Sequence, residues 1–69
     1  MKKEINNKSD FVSGILYACQ YLIIYADRPE FAKDIMIESG YNEEDFLKEQ
    51  KKTGFYTRKI NQIIKEAFE

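Results

Sequence analysis

Nine consecutive residues, Lys51-Lys52-Thr53-Gly54-Phe55-Tyr56-Thr57-Arg58-Lys59, combine four cations, two aromatic rings, two hydroxyls and a glycine. Cations beside free helix amides can hold phosphate, and an aromatic face can stack a base. Lys51, Lys52, Phe55, Tyr56, Arg58 and Lys59 are therefore candidates for binding a nucleotide, a cyclic-nucleotide signal or single-stranded nucleic acid. The competing reading gives Lys51 and Lys52 to the C-terminus of a helix, the rings to the core and the remaining cations to solvent. No Walker-type or Gly-rich phosphate loop supports a dedicated site.

A second constellation is Asn42-Glu43-Glu44-Asp45. Adjacent Glu43 and Glu44 stand about 100° apart on a helix, so they do not share one ligand-holding face. They read instead as carboxylates favoured by a helix N-terminus, with Glu44 and Lys48 spaced for an i, i+4 pair. Met36, Gly40 and Phe46 also fit a helix-turn-helix frame. Its second helix would aim these acids at polyanionic DNA, which argues against base reading.

The sequence contains no histidine. Cys–His and Ser–His pairs and His-containing zinc sites are therefore impossible. With few residues to build a cleft, the expectation is no enzyme, no metal and no cofactor. A net charge of −1 rules out a strong global field toward nucleic acid or an anionic membrane. The single cysteine, Cys19, cannot close an internal disulfide and reads as a buried hydrophobe in a reducing, cytoplasmic setting.

These groups must be positioned by helices. Phe11–Ala26 is apolar except for Ser13, Gly14 and Gln20. It is short for a membrane span, which needs about 20 apolar residues, and a lipobox-like reading around Cys19 lacks a preceding apolar run. The periodicity predicts a central helix whose buried side holds Phe11, Ile15, Ala18, Cys19 and Leu22, capped by Ser9 or Asp10 after a flexible tail of residues 1–10. Gly14 and Ala18 have the spacing that lets another helix approach closely.

Asp27-Arg28-Pro29-Glu30 should end that helix and start a second, about 28–39, with Asp27 as its cap. Phe31, Ala32, Ile35 and Met36 form its apolar face, and Gly40 closes it in the left-handed conformation. Asn42 caps a third helix, about 43–52. A fourth, about 56–68, shows Tyr56, Ile60, Ile63, Ile64 and Ala67 at helical spacing. The expected fold is all-α, a compact bundle of three to four helices around helix 11–26, with residues 11–69 as one domain.

Five Phe and five Tyr exceed what so small a core needs. Tyr17, Gln20 and Ile24 on the first helix, with Ile37 and Tyr41, are candidates for a protein interface. The expected function is stoichiometric protein binding by a small module that also forms a homo-oligomer through the first helix, with no membrane association. Abundant Lys, Ile, Asn, Tyr and Phe imply AT-rich codons. An accessory protein of a low-GC phage or mobile element that inhibits a host or defence factor is the most concrete form of this expectation.

Overall fold

The computed structural model describes residues 8–69. They form four α-helices: α1 (Lys8–Ile24), α2 (Pro29–Glu38), α3 (Glu43–Thr53) and α4 (Thr57–Ala67). There is no strand among the described residues. Residues 1–7 of the expected tail lie outside the described set. Residues 8–10 belong to α1 and are not tail.

Ser9 and Asp10 are thus helical and not the cap. Ser9 is held in register by α3, because its hydroxyl donates to Glu49 Oε2 at 2.7 Å. Lys8 Nζ lies 2.9 Å from Asp45 Oδ1. Those contacts reach across about 40 positions of chain, and they fix the start of α1 against α3.

α1 ends two residues earlier than expected. The amides of Tyr25 and Ala26 donate to the Tyr21 carbonyl, and that of Arg28 donates to the Leu22 carbonyl. This closure needs a left-handed residue, and Asp27 supplies it at φ +56°. Asp27 therefore terminates α1 instead of capping α2, whose cap position falls to Arg28 with no side-chain bond to the helix amides. Pro29 occupies the first turn of α2, where its missing amide costs nothing.

Asn42 caps α3 in a complete capping box: Asp45 N–H donates to Asn42 Oδ1 at 2.9 Å and Asn42 N–H to Asp45 Oδ2 at 3.1 Å. Gly40 and Gly54 adopt positive φ of 87° and 70° after α2 and α3, where a β-carbon would be strained.

α1 packs on α2 and α3, and α4 packs on the same two helices. One core draws on all four: Val12, Leu16, Cys19 and Ile23, then Ala32 and Met36, Phe46, and Ile60, Ile63 and Ile64. Phe46 and Phe68 stack with ring centroids 5.9 Å apart. Lys33 of α2 pairs with Glu66 of α4 at 2.8 Å, and this pair, followed by the Gln62 amide, holds the Glu66 carboxyl below its ordinary pKa.

The buried side of α1 is rotated from the expected one. Val12, Leu16, Cys19 and Ile23 recur at i, i+4, i+7 and i+11 and are buried, whereas Phe11, Gly14 and Ala18 are exposed. The run is apolar nearly all round, so periodicity alone does not choose between its two sides. Packing on α3 chooses, because Ser9 and Gln20 both bond there. Phe31 and Ile35 likewise lie outside the core, leaving Ala32 and Met36 to fill it.

Candidate functional site

Two of the expected surfaces meet in one place. The C-terminal half of α1 presents Tyr17, Tyr21 and Tyr25, and the turn between α3 and α4 presents Phe55 and Tyr56; together they line an open cleft of about 230 Å³. Gln20 and Ile24 form the rest of its lining. No charged side chain lines this cleft.

The turn is positioned from beneath. Gln50 is fully buried on α3 and links both walls: Gln20 Nε2 donates to Gln50 Oε1, and Gln50 Nε2 donates to the Phe55 carbonyl. A buried amide left without partners would cost about 1–3 kcal/mol, so this relay ties the turn firmly to α1. Thr57 Oγ1 donates to the Gly54 carbonyl at 3.0 Å and tightens the loop further.

Tyr56 occupies the N-cap of α4 with φ 50° and ψ 39°. A left-handed conformation is unfavourable for an aromatic residue and is kept where surrounding contacts demand it. Here it turns the chain sharply into α4 and leaves the ring outside the core. The neighbouring Tyr56 hydroxyl is the main reason the Tyr25 phenol pKa lies above its ordinary value. Tyr21 and Tyr25 sit one turn apart with centroids at 5.5 Å and an interplanar angle of 38°.

The exposure of the rings is large: Tyr17 76%, Tyr25 70%, Phe55 68%, Tyr21 59% and Tyr56 55%. On the same outward side of α1, Phe11 is 66% exposed. Of the expected interface residues, Tyr17 and Ile37 are exposed. Ile24 and Tyr41 are half-buried and pack against the core, and Gln20 is half-buried with its amide N–H group committed to Gln50. Ile37 and Tyr41 do not line the cleft.

The cations of residues 51–59 diverge. Lys52 Nζ turns to Glu49 at 3.3 Å and donates to Ser9 Oγ at 3.2 Å, on the side of α3 that faces the start of α1. Arg58 and Lys59 lie in the first turn of α4, beside Tyr56, on an open surface that also includes Thr57 and Gln62. Lys51 is exposed. Phe55 shares its cleft with the tyrosines of α1, and Tyr56 borders both that cleft and the surface of Arg58 and Lys59.

Asp45 and Glu49 of α3 make structural contacts. Asp45 belongs to the capping box, and its carboxyl is held below its ordinary pKa by Lys8 first and by the Asn42 amide second. Among the described residues no three His, Cys, Asp or Glu side chains are grouped to hold a metal ion, and no helix is long and apolar enough to cross a membrane. Cys19 is buried beneath α2, its thiol donating to the Ala32 carbonyl at 3.6 Å.

Sequence reasoning did not foresee the parts played by Glu49 and Gln50, which are buried amid polar neighbours of α3. A lone Gln20 inside an apolar run was the available signal, since such a group requires a polar partner. Comparison with protein-family models, with curated proteins and with solved structures finds no match.

Proposed function

We propose that this chain is a non-enzymatic module that binds another protein stoichiometrically through the outward face of α1. The observation that carries the reading is the row of exposed rings on that helix, Phe11, Tyr17, Tyr21 and Tyr25, with Phe31 and Ile35 of α2 also exposed. A monomer of this size gains nothing from leaving so much aromatic surface in water, and contiguous apolar patches mark interaction surfaces. Aromatic anchors are also the side chains that dominate binding energy at interfaces.

The same face would support a homo-oligomer through α1. The abundance of Lys, Ile, Asn, Tyr and Phe, residues with AT-rich codons, supports the most concrete form of the reading, an accessory protein of a phage or mobile element that blocks a host or defence factor in the cytoplasm. A second reading, nucleotide or single-stranded nucleic acid on residues 51–59, is supported by the exposure of Phe55 and Tyr56 beside Arg58 and Lys59.

The test is capture of partners from a low-GC bacterial lysate by the tagged chain, with and without nuclease, alongside light scattering of the purified protein. Wild type should capture a protein that survives nuclease or form an oligomer. Tyr17→Asp with Tyr21→Asp should lose that association while circular dichroism keeps its helical signal. A monomer that captures only nucleic acid, or a double variant that associates as wild type does, overturns the reading.

A further inference from the structure

The aromatic cleft has a chemistry of its own, separate from the protein-binding reading, although three tyrosines of α1 serve both. We propose that the cleft between α1 and the turn of residues 54–56 is a binding site for a quaternary ammonium group.

The lining's chemistry, the cleft's size and, as the third observation, its construction lead there. Five aromatic rings converge on one concavity, Tyr17, Tyr21 and Tyr25 from α1 with Phe55 and Tyr56 from the turn. Ring faces are negative and attract cations through the ring quadrupole, most effectively when several rings surround the charge and water is displaced. The lining contains no carboxylate. A primary ammonium or a guanidinium carries several N–H groups and is held best by a carboxylate, which this lining lacks. A fully alkylated ammonium has no N–H group, and its methyls meet the rings directly.

Size points the same way. At about 230 Å³, the cleft is smaller than the roughly 300–1,000 Å³ typical of sites for drug-sized ligands, so it suits a head group and not a whole nucleotide. The third observation is the construction of the wall. The Gln20–Gln50 relay ends on the Phe55 carbonyl, and Tyr56 is held left-handed at the start of α4. Backbone strain of this kind is held where a site is preorganised. Gln20 spends its N–H on Gln50 and leaves a carbonyl oxygen, whose partial negative charge also favours a cation.

Free choline and a trimethylated lysine side chain of another protein share this head group. The experiment is proton NMR of choline titrated with the intact protein, where ring currents should move the N-methyl resonance upfield. The neutral isostere 3,3-dimethylbutan-1-ol and the primary amine butylamine serve as controls. Choline should bind at least about fivefold more tightly than either, the scale of a partly desolvated cation–π contact. Tyr25→Phe, which keeps the ring and removes only the hydroxyl, should bind choline within about twofold of wild type, whereas Tyr25→Leu should weaken it about fivefold or more.

An N-acetylated trimethyl-lysine amide identifies the source. Tighter binding than choline assigns the site to a modified protein side chain, and weaker binding assigns it to a free ligand. Equal binding of choline and its neutral isostere overturns the proposal in favour of a simple apolar cleft. Absence of any shift with choline and with the lysine derivative overturns it as well.

Discussion

Cys19 shows how one side chain reports the packing around it. It is fully buried under α2, and burial pushes its thiol from an ordinary 9.0 up to about 11. The folded state therefore keeps its proton after the unfolded chain has lost it. Stability is undiminished below about pH 9 and falls as pH rises toward 11, by at most about 1.4 kcal/mol per unit from this group. Urea melts at pH 8, 9.5 and 10.5 should show a steeper decline for wild type than for Cys19→Ala; equal slopes would place the thiol in contact with water. That Cys19 would be buried was legible from its place in an apolar run. The roles of Glu49 and Gln50 were not, because charged and amide side chains on a polar helix normally face solvent. Only their long-range partners, Ser9 and Gln20, pull them inward.

At the scale of the element, α1 is the helix whose existence was plainest and whose orientation was least so. A sixteen-residue run, apolar at all but three positions, specifies a helix, but it leaves the rotation about the axis open. The rotation is set by α3, through a hydroxyl and an amide that periodicity does not weigh. The start of α1 was misplaced for a related reason, since Lys8 and Ser9 look like tail until Asp45 and Glu49 stand beside them. Turns fared better: Pro29, Gly40, Asn42 and Gly54 act through their own backbone chemistry, which is local. Gly14 gives a test that separates folding from binding. A methyl added there meets no atom within 4 Å, so Gly14→Ala should raise stability by about 0.5–1 kcal/mol through helix propensity. If another helix docks closely on that face, the same change should weaken association. A more stable variant with unchanged association would move the contact toward Tyr17 and Tyr25.

For the molecule as a whole, stability rests on few large side chains. Phe46 is the one aromatic ring with no solvent exposure, and it stacks on Phe68 near the C-terminus. Phe46→Ala should cost about 3–5 kcal/mol, a large share of the stability of so small a domain. Loss of the cooperative thermal transition is expected; a melting point within a few degrees of wild type would mean that the core can collapse around the gap. The all-helical class and a count of three to four helices follow from composition and punctuation, and the structure shows four. What sequence could not supply is which aromatics are left over once the core is full, since Val, Leu and Ile of α1 fill it while Phe11, Tyr21 and Tyr25 do not. The sealed position of Cys19 has one more consequence, a chemical memory. A thiol enclosed on every side is out of reach of a second copy while the chain stays folded, so a covalent dimer can form only from chains that have opened. Because there is a single thiol per chain, such dimers have one possible bond, and their yield on a non-reducing gel records how often a stored preparation has unfolded.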